Sequence, residues 1–526
     1  MRQVPELTQL KLDAASRLHS LGQLAQAQAI YEDVLIRYPE HVDCLHMLGV
    51  IAAQQSRCVE AVTLIGRAIA VDPGNTAIYC NRGICFFKLG QYAAAIADYD
   101  KAISIDPCCS DAYTYRGVAL HELGQLDAAL ASHDIAIANN SQHVAAYSNR
   151  GNTLRRMKLL EAAIVSYDRA IVIRPEFSEA HFNRGIALRE ISQPEAALRS
   201  FDRAIVLNPE YAEAYVQKAT TLLAMGDFKS GWELYEWRWK KATISSSARH
   251  GSQTLWLGHE PLNGKRILLH SEQGYGDTIQ FCRYAALVAA KGAYVILEAP
   301  RALVPLLKHL PGVSEVVAVG SLPPPFDHHC PLLSLPLALR TTLSTIPSSA
   351  GYLCSDDDLL AKWTARLPAK TQARVGLVWR GSAAHVNDCN RSIGLSTLLA
   401  QLPLTCDYFG LQKELVAEDY ALPPHTASIT HLGSAIRDFA DTAALCQLMD
   451  LVITVDTSVA HLAGAMGKLT WILLPYNSDW RWLLNRADSL WYSSVRLYRQ
   501  AIDQNWPSVL KKVRDDLATF GDKVCS

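Results

Sequence analysis

Three short segments of the chain combine residue types that can act on a phosphorylated substrate. The first is Gly274-Tyr-Gly-Asp-Thr278, directly after the apolar run Arg266–His270. Two glycines permit a tight turn, and Asp277 supplies a carboxylate that can accept a proton. The same carboxylate could instead cap a helix that begins at Thr278. Gln273 and Gln280 are weaker polar candidates beside it. The second is Asp456-Thr-Ser-Val-Ala-His461, at the end of the apolar run Leu451–Val455. The hydroxyls of Thr457 and Ser458, the exposed backbone N–H groups and the helix dipole suit a phosphate. His461 falls in the first turn of that helix, and Ala460, Ala463, Gly464 and Ala465 keep it slim against a sheet. A plain helix cap at Thr457 or Ser458 is the alternative reading. The third is the polar loop after residues 374–379, with Arg380, Asn387, Asn390 and Arg391. Its cations could neutralise a diphosphate without a metal, or the loop could simply be solvated.

Two other segments suggest metals and are read as structural. His328-His329-Cys330 lies in a Pro-rich stretch without a further ligand at useful spacing, and reads as a loop. Asp356-Asp-Asp358 precedes the apolar run 359–363, and reads as the acidic first turn of a helix.

Parallel strands with helical crossovers must position these segments. From Gly264 onward short apolar runs alternate with helical stretches, the βα pattern of a parallel sheet. Strands are expected at Arg266–His270, 294–298, 313–319, 374–379, 408–412, Leu451–Val455 and Thr470–Leu474, the last clear strand. Helices are expected at 279–291, 305–310 and 439–449. In this arrangement Asp277, Arg380 and Asp456 all follow the carboxyl ends of strands, where open α/β sheets bind ligands.

The first half follows a different period. Gly49, Gly83, Gly117, Gly151 and Gly185 recur every 34 residues. So do Pro39, Pro73, Pro107, Pro175 and Pro209, with Ser141 in the one vacant place. Ala27, Ala61, Ala95, Ala129, Ala163 and Ala197 form a third row in phase. Small residues mark the close approach of two helices, and the proline ends each pair. This pattern resembles the tetratricopeptide repeat, with six units over residues 8–211 and a divergent seventh to Lys241. The resemblance implies an α-solenoid whose groove holds a protein or peptide segment. The alternative is a solenoid that only oligomerises the chain or braces the second half. Trp232, Tyr235, Trp237 and Trp239 read as a cap onto the next domain. The expected division is repeats 8–241, a Ser-rich linker 242–260, a first α/β lobe 261–365 and a second lobe 366–526.

The α/β half carries a resemblance of its own. Gly274-x-Gly276-Asp277 is similar to the opening loop of the bacterial ADP-heptose lipopolysaccharide heptosyltransferases (glycosyltransferase family 9). Asp456-Thr457-Ser458-x-x-His461-Leu-Ala-Gly-Ala is similar to their donor-site motif. The Gly467-Lys468 turn, the following strand and the 475–479 loop come in the same order, and the likeness spans about residues 264–500. It implies a GT-B glycosyltransferase of two Rossmann-like lobes, inverting and metal-independent. The nucleotide-sugar is a co-substrate, and no other cofactor is expected. Asp277 is then the catalytic base. Arg380, Asn387, Arg391, Asp456, Thr457, Ser458 and His461 hold the donor, and Gly274, Gly276, Thr278, Gln280 and Lys468 are further candidates. The architecture is also similar to tetratricopeptide-fused O-linked N-acetylglucosamine transferases, without a closer motif match.

Bulk composition narrows the alternatives. The 526 residues carry a formal net charge of −1, which gives no general electrostatic case for nucleic acid or anionic membrane. The 13 cysteines are scattered without a Cys-x-x-Cys pair and read as buried thiols in a reducing compartment, the cytoplasm. No signal core opens the sequence, and no apolar run is long enough to span a bilayer. The turn at Gly274 lacks the Gly-x-Gly-x-x-Gly dinucleotide pattern of an oxidoreductase or epimerase. The rival to an enzyme is a tetratricopeptide scaffold with a degenerate glycosyltransferase domain; in either case a homo-oligomer is compatible with the repeats.

Overall fold

The computed structural model describes residues 6–241, 253–348, 351–383, 387–420 and 427–525. Two compact units divide the chain, one up to Pro209 and one from Glu210.

The first unit is six antiparallel helix pairs, from Glu6–Ser20 with Leu24–Arg37 to Ser178–Glu190 with Pro194–Leu207. The 34-residue glycine row has a direct steric cause. A Cβ on Gly83 would lie 2.5 Å from Tyr99, on Gly151 2.5 Å from Tyr167, and on Gly185 2.5 Å from Phe201. Each glycine therefore receives the large residue 16 positions later, from the second helix of its own pair. Gly49 receives Ile65 and Gly117 receives His133 in the same way. The alanine row at 27, 61, 95, 129, 163 and 197 is fully buried.

A polar ladder runs in the same period. Arg116 reaches back to Asp100 at 2.6 Å and forward to Ser132 at 2.9 Å. Arg150 does so with Asp134 and Ser166, and Arg184 with Asp168 and Ser200. Arg82, at the start of the ladder, instead grips Asp98 with two hydrogen bonds. The residue that would be its backward partner is Gly66. Each half-exposed pair adds little energy alone, but the series ties each helix pair to the one before.

The second unit holds the seventh helix pair, Ala212–Met225 and Phe228–Tyr235, and two parallel sheets. The first sheet has the strand order β1-β5-β2-β3-β4, formed by β1 (Thr254–Leu255), β2 (Arg266–His270), β3 (Tyr294–Ala299), β4 (Glu315–Ala318) and β5 (His328–Pro331). The second has the order β11-β10-β9-β6-β7-β8. Its strands are β6 (Ala373–Val378), β7 (Cys406–Gly410), β8 (Ile429–His431), β9 (Leu451–Val455), β10 (Thr470–Leu474) and β11 (Val495–Arg499).

Several expectations change. The stretch His328-His329-Cys330 is strand β5, not a loop; it pairs with both β1 and β2, His329 meets His270 across the sheet at 3.1 Å, and Cys330 is buried. Residues 254–255, placed in the linker by sequence, form strand β1, and Trp256 beside them is buried in the core. The rest of the expected linker, 242–252, lies outside the described residues. β8 and β11 had no clear sequence signal, since β8 has only three residues and β11 alternates with two arginines. Helix 279–291 is instead Tyr275–Phe281, a 3₁₀ turn and Ala285–Ala289. Asp356 does cap the helix Asp357–Thr364, accepting the Leu359 N–H at 3.0 Å.

The seventh helix pair packs as part of the α/β unit. Phe228, Trp232 and Tyr235 share one core with Ile267, Leu269, Phe281 and Leu335 of the first lobe and with Trp480 and Trp491 of the second. Trp232 meets Phe281 and Trp480 edge-on, with ring centroids 6.3 and 5.2 Å apart. The buried Arg238 forms a two-pronged pair with Glu272 at 2.8 and 2.9 Å and also reaches Ser334. The expected contact onto the next domain is therefore made by Trp232 and Tyr235, which are part of that domain's core, while Trp237 stacks on Tyr215 and, like Trp239, stays half-exposed.

Candidate functional site

In each sheet the chain leaves the central strand one way and returns to its other side. In the first sheet that switch falls between β2 and β5, and in the second between β6 and β9. Such switch points open a crevice at the carboxyl ends of the strands. The Gly274 turn follows β2, Arg380 follows β6 and Asp456 follows β9, so three of the sequence-derived segments fall at these crevices.

The first segment is a helix start. Gly274 is the N-cap of Tyr275–Phe281, and its N–H donates to Asp277 Oδ2 at 2.9 Å. The Thr278 hydroxyl donates to the Gly274 carbonyl at 3.3 Å. This helix packs on Ser458–Ala465 at Gly276, where a Cβ would come 2.8 Å from the His461 ring and 3.6 Å from Ser458 Cα. The close approach explains the second glycine: it lets the turn of one lobe touch the helix of the other.

The second segment has an open helix end. Thr457 is the N-cap of Ser458–Ala465 but makes no capping bond with its side chain. Its hydroxyl pairs with that of Thr454 at 3.1 Å instead. The first N–H groups of this helix therefore lack the usual side-chain acceptor.

His461 is not poised at a surface. Its ring is buried, lies over Trp482 with centroids 5.3 Å apart, and places Nδ1 2.9 Å from the Tyr492 hydroxyl. Burial and the nearby Arg481 push its pKa down to about 3, so it is neutral. The sequence placed it against an anion; the structure surrounds it with Trp482, Tyr492 and Gly276.

Arg391 donates to the Asp456 carbonyl at 2.8 Å and pairs with Asp388 at 3.2 Å, which ties the polar loop to the end of β9. Asn387 precedes the short helix Asp388–Arg391 and accepts from Asn390 at 2.5 Å. Arg380 has its backbone N–H on Gln412 and its guanidinium 3.7 Å from Glu418. His385 of the same loop lies outside the described residues. Lys468 is not brought to this group. It precedes β10 and so sits at the amino end of a parallel strand, where it donates to the Gln447 carbonyl at 3.2 Å.

Sequence reasoning missed three arginines at this junction, of which Arg481 and Arg283 join the lobes and Arg499 braces the second. Arg481, on the loop after β10, is buried. It pairs with Asp277, donates to Gln280 Oε1 at 2.8 Å, and holds Asp479 at 2.9 Å. The adjacent acids keep its charge, although burial works against it. Arg499 on β11 donates to the carbonyls of Trp482 and Leu483 at 2.6 and 2.8 Å. That clamps the turn in which Leu483 takes φ 53°, a costly conformation for a branched residue. Arg283 reaches the Trp491 carbonyl at 2.6 Å and the Tyr352 hydroxyl at 2.9 Å. The one available signal was the density of Asp, Trp and Arg at 479–482, at the end of the 475–479 loop noted only for its order in the chain.

Three carboxylates meet here under different conditions. Burial and the neighbouring Asp479 push the Asp456 pKa up to about 6. Asp479 is also buried, but Arg481 outweighs that and holds it below the ordinary carboxylate range. Among the described residues no group of three His, Cys, Asp or Glu side chains is arranged to hold a metal.

The 34-residue helix pairs, each closed by a small residue against a large one 16 positions on, are matched by tetratricopeptide repeat models at 12–75, 76–107, 98–131, 116–179 and 182–236. Residues 12–236 carry tetratricopeptide repeats. Protein FlbA of Caulobacter vibrioides is 26% identical over 328 residues, covering 58% of this chain and 54% of that protein. The chain thus spans about half the length of that relative. Among solved structures, a tetratricopeptide repeat protein from Parabacteroides merdae is 16% identical, with a TM-score of 0.39 over 47% of this chain and 94% of its own. PilW, a type IV pilus biogenesis factor, is 19% identical, with a TM-score of 0.37 over 40% of this chain and 97% of its own. YrrB, a tetratricopeptide protein with an unusual peptide-binding site, is 20% identical, with a TM-score of 0.29 over 35% of this chain and 95% of its own. Tetratricopeptide arrays are scaffolds for protein and peptide segments. Among the described residues no helix is long and apolar enough to cross a membrane.

Proposed function

We propose that the α/β half is a glycosyltransferase of the GT-B kind. It would move a sugar from a nucleotide-sugar to a protein or glycan acceptor that the tetratricopeptide half recruits, in a reducing compartment such as the cytoplasm. The observation that carries this reading is the meeting of two strand-end turns. The Gly274–Asp277 turn of the first lobe packs on the Asp456–Ser458 turn of the second, with Gly276 in contact range of Ser458. Two parallel sheets, each with its switch point at this junction, support it further.

The chemistry assigned to the residues follows from their surroundings. The uncapped first turn of Ser458–Ala465 would take the diphosphate on its N–H groups. Arg380 would neutralise the leaving charge, since its guanidinium meets Glu418 only at 3.7 Å. Arg391 would orient the Asp456 turn from behind through its carbonyl. His461 would hold the helix in place rather than touch the donor.

Thermal stabilisation by a panel of nucleoside diphosphates tests the reading. One base should stabilise the protein clearly, by about 2.7 kcal/mol at a hundred times its Kd. Mass spectrometry of products from the matching nucleotide-sugars should then show transfer. If no nucleoside diphosphate changes the melting temperature, the reading fails.

A non-catalytic scaffold is the second reading, and the interlobe bonds favour it. Arg481 already bridges Asp277 and Asp479, and Arg283 pins the first lobe to Trp491. A junction filled in this way is also what a purely structural fusion would need.

A further inference from the structure

Resting on the glycosyl-transfer reading, we infer that Asp456, and not Asp277, is the carboxylate that takes the acceptor's proton. Asp277 is committed on both oxygens: Oδ2 accepts the Gly274 N–H at 2.9 Å, and Oδ1 is bound by the Arg481 guanidinium. A carboxylate so engaged is a weak base, because protonation must first break a charged pair. Asp479 is committed as well, accepting both the backbone N–H and the guanidinium of Arg481 at 3.0 and 2.9 Å.

Asp456 differs. Among the described residues its carboxylate forms no ion pair: the neutral Trp482 indole is its hydrogen-bonding neighbour, and Arg391 uses only its backbone carbonyl. It stands at the carboxyl end of β9, beside the switch point, and keeps part of its surface open. The charged groups around it come from every neighbouring element. Asp479 and Arg481 are on the loop after β10, Arg391 is on the helix after β6, and Arg499 is on β11. The acid opposes ionisation of Asp456, and the Trp482 indole and the three arginines favour it. Burial and Asp479 prevail, so its pKa of about 6 lies near the working range of a general base.

The step balances with this residue as base. The acceptor hydroxyl oxygen forms a bond to the anomeric carbon. The bond from that carbon to the diphosphate oxygen breaks, and its electron pair leaves with the nucleoside diphosphate. The hydroxyl proton passes to Asp456. Asp277 is then a positioning residue: through Arg481 it fixes Asp479, and through Asp479 it keeps Asp456 from ionising too readily.

The test compares the full chain with Asp456→Asn and Asp277→Asn, each checked for helical signal. Transfer rates are measured from pH 5 to 8, and nucleoside diphosphate stabilisation is measured alongside. The wild type should gain kcat/KM through a limb near pH 6 as Asp456 ionises. Asp456→Asn should lose about a hundred- to ten-thousand-fold and lose that limb, yet still be stabilised by the nucleoside diphosphate. Asp277→Asn should keep a limb, shifted in pH. A limb that survives in Asp456→Asn, or disappears in Asp277→Asn, overturns the assignment while transfer itself stands. If the wild type neither forms product nor responds to any nucleoside diphosphate, glycosyl transfer falls, and the role of Asp456 falls with it.

Discussion

Replacing His133 by Phe should stabilise the repeat array, and by more at pH 5 than at pH 7.5. His133 occupies the place held by Tyr99, Tyr167 and Phe201 in other repeats, pressed against Gly117. It is fully buried, and among the described residues neither ring nitrogen has a partner. Burial, reinforced by nearby His121, Arg150 and His143, pushes its pKa from 6.5 to about 3. Removing two unsatisfied buried nitrogens is worth about 1–3 kcal/mol at neutral pH. The pH term adds to this. Above pH 6.5 His133 is neutral in both states and costs nothing further. As the pH falls below 6.5, the unfolded chain takes up a proton that the folded chain refuses, so stability is lost down to about pH 3. At pH 5 this amounts to about 2 kcal/mol. Phe has no such term. The melting temperatures of variant and wild type should therefore separate by about 4–8 °C more at pH 5 than at pH 7.5, at about 2–4 °C per kcal/mol for a unit of this size. Phe is preferred to Tyr. The Tyr167 hydroxyl donates to Asn152, and the residue 34 positions earlier is Val118, which has no acceptor. The assay is thermal unfolding by circular dichroism at several pH values. Parallel curves for the two proteins would show that the His133 ring is hydrated or partnered, and the argument from burial would fail.

The remaining predictions concern the second unit. His461→Ala should destabilise it by about 2–4 kcal/mol, since a ring packed between Trp482 and Tyr492 is deleted; an unchanged melt would show that the pocket collapses freely. A fragment beginning at Glu210 should fold and stay soluble, whereas one beginning at Thr254 should aggregate, because Phe228, Trp232 and Tyr235 belong to the core it keeps. Size-exclusion chromatography separates these outcomes, and a well-behaved shorter fragment would contradict the shared core. If transfer is found, a chelator should leave its rate unchanged, because arginines and an open helix end are assigned the charge. Loss of rate restored by magnesium or manganese would reverse that assignment.

The parts legible in the sequence were those built from near neighbours. Gly83 and Tyr99 are 16 residues apart, and so are Arg150 and Ser166, so each contact repeats with the chain's own period. The βα alternation after Gly264 and the turns at Gly274 and Asp456 are equally local, since a strand, its turn and the next helix are consecutive. Their glycines, acids and hydroxyls therefore stood out before any packing was known.

What only the tertiary structure decided is how those turns are used. Arg481 is 204 residues from Asp277 and 201 from Gln280, and Arg283 is 208 from the residue whose carbonyl it binds. No period or spacing encodes such a pair, because its partners meet only when two separate sheets close on one core. The same closure buries His461, leaves the carboxylate of Asp456 outside any ion pair among the described residues and engages that of Asp277. It also draws Trp232 out of the repeat array into the core of the α/β unit. Local sequence sets which groups stand at the strand ends; solvent exclusion and charge pairing across the lobes set which of them remains able to carry a proton.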